Sequence, residues 1–393
     1  LRNLFKKVVY VRNITDIDDK INDKAKKEKV SIEIISLKYT KVYQENMRAL
    51  NVLPPDIEPT VTQNIHSIIK MISSLLEKKH AYEAENHILF HVPSFKNYGN
   101  LSKRKKDEMI EGARIEVAPY KKDPMDFILW KPSTKDQPGW DSPWGRGRPG
   151  WHIECSSIIK TYLGETIDIH LGGNDLIFPH HENEIAQSNC AHDGKSLSKY
   201  WIHNGFISMD KEKMSKSVGN IILVNDILKN YTGEAIRLAM LTTHYKQPLD
   251  WNENILIQAN KNLENFYDVI GDKKNFESIE PPKKFFDALL NDLNTPEALK
   301  ELYELSKNKN TKDQLKSAAN YLGILQLTKT EWINQRKKIK NLNQKKIEKL
   351  IDNRNKARKE KNFVEADKIR DKLTLDNIIL EDSPSGTKWR INN

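Results

Sequence analysis

The residues from Trp151 to Glu184 impose a helix, a strand and a second helix in close succession. An amphipathic run starts at Trp151 and ends at Gly164, and the TIDIH segment after it is typical of a buried strand followed by a Gly-Gly turn. Pro179 favours the first position of the next helix. This order predicts an open α/β sheet, in which functional side chains gather near the carboxyl ends of the strands.

Three side chains in this stretch belong to the types that bind zinc: Cys155, His180 and Glu184. His180 and Glu184 are four residues apart, so they project from one helical face. Three ligands with no evident fourth suit a catalytic zinc site with an open position, or a site whose fourth ligand lies elsewhere. The spacing is not a tight CxxC pattern, and it leaves an alternative open, because a lone cysteine is usually a small hydrophobe and His-His-Glu can cap a helix.

Length and composition predict several domains. A chain of 393 residues can form two or three cores. We predict a Rossmann-type parallel-sheet core over residues 1–204 with an insertion at about 81–150, a loop and connecting helices over 205–250, a helical bundle over 251–335, and a basic domain over 336–393. Trp140 and Trp144 in the insertion are expected to fill the core. The lack of a long apolar run excludes a membrane span, and two cysteines favour the reducing cytoplasm.

The positive charge is concentrated at the carboxyl end. Residues 331–393 hold 17 Lys+Arg against 10 Asp+Glu, whereas the rest of the chain holds 47 against 44. This asymmetry favours a segment that binds a polyanion, although a solvated lysine-rich helical surface has the same composition. Two basic helices, at about 343–361 and 363–373, precede a hairpin in which Trp389 and Arg390 could contact bases or pack on those helices.

The segment KMSKSVGN, from Lys213 to Asn220, predicts a flexible cationic loop. Lysines serve such loops as mobile point charges that reach phosphates. Any lysine-rich loop offers some of this chemistry, but the match to a KMSKS motif is specific enough to favour phosphate binding.

Taken together, these segments resemble the cysteinyl-tRNA synthetases, a family of class I aminoacyl-tRNA synthetases. The resemblance spans essentially the whole chain, in the order YVRNITDIDDKI, GWHIECS, GGNDLIFPHHENEIAQ, KMSKS, FFDALLNDLNTPEAL, RNKARKEKNFVEADKIRDKL and LEDSPSGTKWR. It implies that the core binds ATP with Mg²⁺ and L-cysteine, and that one Zn²⁺ per chain is held by Cys155, His180 and Glu184.

Further roles follow from the resemblance alone. Trp151 and His170 are implied as walls of the amino-acid pocket. Lys216 is implied as the catalytic, ATP-binding residue that acts on the leaving pyrophosphate, with Lys213 assisting. The carboxyl-terminal domain, including Trp389 and Arg390, is implied to bind tRNA(Cys). In the family, the HIGH signature and a fourth zinc ligand, a cysteine, lie upstream of these motifs, so we expect this chain to lack the N-terminal part of its Rossmann-type core.

The expected activity is ATP-dependent ligation of L-cysteine to tRNA(Cys) through a cysteinyl-adenylate, by a cytoplasmic monomer with no membrane partner. A paralogous ligase that joins cysteine to a small amine is an alternative, but such relatives lack an anticodon-binding end. A non-catalytic zinc- and RNA-binding protein is a second alternative. The KMSKS loop argues against it, because a chain without catalysis has no evident need for a pyrophosphate-binding lysine.

Overall fold

The computed structural model describes residues 1–104, 108–109, 118–209, 212–214, 219–277, 279–375, 378–383 and 386–391. The chain forms two compact units. The first comprises Leu1–Arg48, Val52–Met214 and Tyr245–Asp250, and the second comprises Ala49–Asn51, Ser215–His244 and Trp251–Asn393. Within the described ranges, no helix has both the length and the apolar character needed to cross a membrane.

The first unit combines helices with three small sheets. Its helices are α1 (Asp19–Glu28), α2 (Ile32–Ala49, whose last residue belongs to the second unit), α3 (Ile65–Glu77), α4 (Trp151–Tyr162) and α5 (Glu182–Ala191). Its strands are β1 (Ala81–Ala84), β2 (His87–Phe90), β3 (Phe127–Pro132), β4 (Gly147–Pro149), β5 (Ile167–Gly173), β6 (Ser198–Asn204), β7 (Ile207–Met209), β8 (Glu212–Lys213) and β9 (Leu249–Asp250). Strands β1 to β4 form an antiparallel sheet, whereas β5 and β6 pair in parallel.

A continuous apolar core joins the antiparallel sheet to α3, α4 and α5. Ile72 of α3, Phe90 of β2 and Ile153 of α4 are fully buried in it. Trp140 and Trp144 are partly buried and pack against this core, which confirms that they fill it. The insertion is therefore anchored to the helix that carries Cys155.

Two predicted element boundaries in the first unit are wrong. The helix expected to start at Pro179 begins at Glu182, because Phe178 is extended (φ −138°, ψ 131°) and the wider turn Ile177–His181 precedes the regular helix. The sequence YWIHNGFISMD, residues 200–210, predicts one further strand, but its described part is divided between β6 and β7. At the division, a Cβ on Gly205 would lie 2.6 Å from the carbonyl oxygen of Gln247, so the chain needs glycine there.

The second unit is mainly helical. It contains α6 (Val224–Ile227), α7 (Gly233–Leu241), α8 (Glu253–Ile270), α9 (Lys283–Leu290), α10 (Thr295–Ser306), α11 (Lys312–Tyr321), α12 (Lys329–Lys359) and α13 (Phe363–Leu375), followed by β10 (Ile378–Ser383) and β11 (Gly386–Ile391). Helix α12 differs most from expectation, because a capping box of Thr328 and Glu331 starts it well before residue 343. Helix α12 continues without a break through residue 335, where the sequence predicts a domain boundary. The position of that boundary stays a prediction.

The carboxyl-terminal hairpin is present as predicted. Strands β10 and β11 pair antiparallel from Ile378 opposite Ile391 to Ser383 opposite Gly386. A small core of Ile351, Ile369, Leu373 and Ile378 holds the hairpin against α12 and α13, and the partly buried Trp389 packs on it.

Candidate functional site

Cys155, His180 and Glu184 meet in the first unit. Cys155 comes from α4, His180 from the turn before α5, and Glu184 from the first turn of α5. Their potential ligand atoms all lie within 4.8 Å of one another. The Sγ atom of Cys155 is 3.7 Å from Nε2 of His180, which is 2.6 Å from Oε1 of Glu184. Packing of α4 beside α5 thus brings together residues 25 to 29 positions apart in sequence.

The donor set fits a metal ion. Oε1 of Glu184 is buried and has no hydrogen-bond partner within the described part of the chain, even though Nε2 of His180 is 2.6 Å away. A buried carboxylate oxygen normally has a hydrogen bond or an ion as its partner, so Oε1 of Glu184 is available as a metal ligand. A thiolate, an imidazole and a carboxylate suit Zn²⁺. The residues present therefore fit a zinc ion.

Aromatic and histidine side chains surround this cluster. Nε2 of His170, on β5, is 2.6 Å from Oε2 of Glu184. The ring of Trp151 stacks on that of His180 with centroids 4.2 Å apart, and 50% of Trp151 is exposed. Nδ1 of His152 is 2.9 Å from Nδ1 of His180. The structure thus brings Trp151 and His170 to the cluster, although their role as pocket walls stays a prediction.

The protonation of the cluster follows from burial and from its neighbours. Burial opposes the charge of Glu184, but His180 and His170 outweigh it and hold the pKa of that carboxyl below its usual range. Burial raises the pKa of the Cys155 thiol, and the nearby Glu184 raises it further. Burial also lowers the pKa of His152 to about 3, so this ring is neutral. A bound cation would reverse the preference of the thiol, because a coordinating thiol loses its proton.

The structure adds a second potential metal group that the sequence analysis missed. Ligand atoms of His170, His181 and Glu184 also lie within 4.8 Å of one another. Nδ1 of His181 is 2.8 Å from Nε2 of His203 on β6. The adjacent histidines His180 and His181 ahead of Glu184 are visible in the sequence as potential ligands. That His170 of β5 and His203 of β6 lie beside them depends on the pairing of these two strands.

The other predicted site residues are not among the potential metal ligands, or they lie outside the described ranges. Lys213 ends β8, and Lys216 lies outside the described residues. Trp389 and Arg390 are neighbours on β11, and Trp389 borders a pocket of about 450 Å³ together with Ile351 of α12. No sequence motif marks Phe363 and Val364, which start α13 and are 61% and 70% exposed on a basic segment.

The fold of the chain is similar to that of a tRNA synthetase of known structure. It is similar to a Mycobacterium tuberculosis methionyl-tRNA synthetase in complex with methionyl-adenylate, with a TM-score of 0.54 and 13% identity over 80% of this chain and 82% of that chain. A second structure of that enzyme bound by methionyl-adenylate gives a TM-score of 0.51 and 12% identity over 80% and 81%. At these identities the likeness concerns the fold alone.

Sequence comparison defines the family. The model of the tRNA synthetases class I (C) catalytic domain matches residues 1–261, and that of the DALR domain matches residues 284–326. A cysteine–tRNA ligase of Parvibaculum lavamentivorans is 52% identical over 406 residues, which is 100% of this chain and 86% of the relative. A cysteine–tRNA ligase of Rhodospirillum rubrum is 49% identical over 407 residues, which is 99% of this chain and 88% of the relative. The chain belongs to the cysteine–tRNA ligase family of class I synthetases.

Proposed function

We propose that this protein joins L-cysteine to tRNA(Cys) with ATP, through a cysteinyl-adenylate, and selects cysteine by its thiol. The observation that carries the proposal is the cluster of Cys155, His180 and Glu184, whose potential ligand atoms lie within 4.8 Å of one another, in a member of this family. The cluster would hold one Zn²⁺ per chain.

The cluster would let the enzyme distinguish cysteine from serine, which is similar in size and shape. The two differ by sulfur in place of oxygen, and an apolar pocket separates such small differences by only about 1–3 kcal/mol. A bound zinc ion would accept the substrate thiolate as a ligand, which a serine hydroxyl cannot match. His170 would hold Glu184 in the orientation this requires, and Trp151 would cover His180 from solvent.

The reaction has two steps. The carboxylate of cysteine attacks the α-phosphorus of ATP and releases pyrophosphate, whose developing charge Lys216 and Lys213 would neutralise while Mg²⁺ accompanies ATP. The terminal ribose hydroxyl of tRNA then attacks the carbonyl carbon of the adenylate, and AMP leaves. No side chain serves as a nucleophile.

We assign the binding of tRNA outside its 3′ end to the second unit. The DALR domain match and the basic segment from residue 331 support this assignment, with Trp389 and Arg390 among the residues that contact tRNA. We retain the boundaries of a core to residue 204, a connecting segment to 250, a bundle to 335 and a carboxyl-terminal domain to 393 as part of the proposal.

The test is ATP–pyrophosphate exchange measured with cysteine and, as control, with serine, on protein whose zinc content is assayed in the same sample. We expect exchange that depends on cysteine and not on serine, with about one zinc per chain. Equal exchange with serine would contradict thiol selection, and a lack of exchange by zinc-loaded protein would contradict the proposed activity.

A further inference from the structure

A second cavity lies next to the metal cluster within the first unit. It has a volume of about 510 Å³ and is enclosed by the start of α1, by strands β3 and β4, and by the start of α4. Trp151 and His152 line it, and both also contact His180 of the cluster. A molecule in this cavity would therefore lie beside an amino acid held at the cluster.

The walls of the cavity are aromatic, with paired charges between them. Aromatic rings in the lining include those of Tyr98, Phe127, Trp151 and Phe178. On another side, Asp19 pairs with Lys131 at 2.8 Å and with Arg148 at 3.2 Å. Because acidic and basic groups balance there, the cavity does not suit a bare phosphate. Aromatic surfaces with both donors and acceptors suit a heterocyclic base, which stacks by its faces and hydrogen-bonds by its edge.

The polar wall of the cavity is formed by the side chains of Asp19, Lys131 and Arg148. The carboxylate of Asp19 accepts hydrogen bonds, whereas Lys131 and Arg148 donate them. A base edge that carries both an acceptor and a donor therefore complements this wall.

We propose that this cavity receives the base of the nucleotide that precedes the terminal one at the unpaired 3′ end of tRNA. The inference rests on the proposed function, in which the terminal ribose must reach a cysteine held at the metal cluster. The preceding nucleotide is then covalently one step away, and the cavity is the base-binding space adjoining that cluster. Phe127 and Lys131 are positioning residues for the tRNA end, since neither contacts the reacting atoms.

The experiment compares intact tRNA with tRNA that carries an abasic ribose at the penultimate position. Single-turnover transfer of cysteine from preformed adenylate is measured for the unaltered protein, for Phe127→Ala and for Lys131→Met. The control is Lys199→Met, because Lys199 also pairs with an aspartate, Asp168, at 2.8 Å but does not line the cavity. For each variant, the rate with intact tRNA is divided by the rate with abasic tRNA. A general loss of activity cancels in this ratio, so a variant with low activity can still be compared.

The expected result is that the abasic tRNA reacts roughly 10-fold more slowly with the unaltered protein and with Lys199→Met, as removal of one stacked base predicts. For Phe127→Ala and Lys131→Met the ratio of the rate with intact tRNA to the rate with abasic tRNA should approach one, since the base no longer has its site.

A ratio that stays near 10 in both variants, or a ratio of one in the unaltered protein, overturns the proposal. A raised KM for ATP in pyrophosphate exchange by these variants also overturns it, because the cavity would then serve ATP. Failure of the proposed function is distinct, because intact tRNA would then accept no cysteine from any of the proteins.

Discussion

Glu184 uses its two carboxylate oxygens differently. His170 contacts Oε2, while Oε1 is left beside Nε2 of His180 with no hydrogen bond from the described residues. The hydrogen bond with His170 fixes the plane of the carboxylate and directs Oε1 towards the position a metal ion would occupy. Outer partners that orient a ligand in this way are a general feature of protein metal sites.

Replacing Cys155 by serine should remove zinc. Cys155→Ser replaces a thiolate ligand by a hydroxyl, which binds zinc poorly. We therefore expect zinc affinity to fall by about 100-fold or more, which exceeds the usual effect of changing a residue that only orients a ligand. The zinc content of the protein after dialysis measures this loss. Cys190→Ser is the matched control, because Cys190 is the other cysteine and lies outside the cluster. Full zinc content in Cys155→Ser would contradict the assignment.

His170 should matter for the metal without binding it directly. In His170→Ala the carboxylate of Glu184 loses its orienting partner, and zinc affinity should fall by about 10- to 100-fold. Competition with a chelator of known affinity measures the change. His66→Ala, an exposed histidine on α3, should bind zinc like the unaltered protein. Unchanged affinity in His170→Ala would show that Glu184 needs no such support.

At the scale of elements, one carboxylate connects the terminal hairpin to α12. Asp382 of β10 accepts two hydrogen bonds from Arg354, at 2.9 and 2.7 Å, and one from Arg358 at 2.9 Å. Arg354 is only 4% exposed, so the carboxylate of Asp382 replaces the water that would otherwise stabilise its positive charge. These bonds, with one from Thr387, hold the pKa of Asp382 below its usual range.

Asp382 should make the hairpin sensitive to acid. A carboxyl whose pKa is lowered by folding stabilises the folded state above its ordinary pKa, near 4, and that contribution disappears as the pH falls below it. Asp382→Asn should lower the stability of the hairpin by about 1–2 kcal/mol at pH 7, after allowance for the partial exposure of Asp382, and remove this acid sensitivity. Hydrogen exchange of the β10 and β11 amides at pH 7 and pH 3 measures it.

The control for Asp382 is Asp371→Asn, which removes an exposed carboxylate of α13. It should leave hairpin exchange unchanged at both pH values. Equal hairpin protection in Asp382→Asn and the unaltered protein at pH 7 would mean that the apolar core of the hairpin suffices.

At the scale of the whole molecule, the uneven charge predicts where tRNA is held. The net charge is +10, and most of it lies in residues 331–393. We expect the exposed lysines Lys345, Lys346 and Lys349 on α12 to bind phosphates of the tRNA backbone. Binding through them releases counterions and is therefore sensitive to salt.

Replacing these three lysines by alanine should weaken tRNA binding and flatten its salt dependence. The slope of log K against log salt should fall by about 0.7–0.9 for every phosphate that the variant no longer neutralises. The control replaces Lys283, Lys300 and Lys307 of the bundle, which changes the net charge equally but removes lysines paired with nearby carboxylates. Equal weakening by both triple variants would show that only net charge matters.

Much of the molecule follows from the sequence by itself, because helices, hairpins and spaced motifs depend on residues close together in the chain. The helices α8 to α11 lie within residues 251–335, where a helical bundle was predicted, and His180 lies beside Glu184 as the i, i+4 spacing predicted. The KMSKS motif and the family segments have the same local character, so they could be recognised without coordinates.

Tertiary structure decided what depends on distant residues. The contact of His170 with Glu184 requires β5 to pack against α5, and the cavity beside the cluster requires α1 to meet strands more than 100 residues later. The division at Gly205 depends on the backbone of Gln247. Periodicity reports only which face of an element is buried. Which buried faces meet, and so which polar groups share a site, is set by packing across the whole unit.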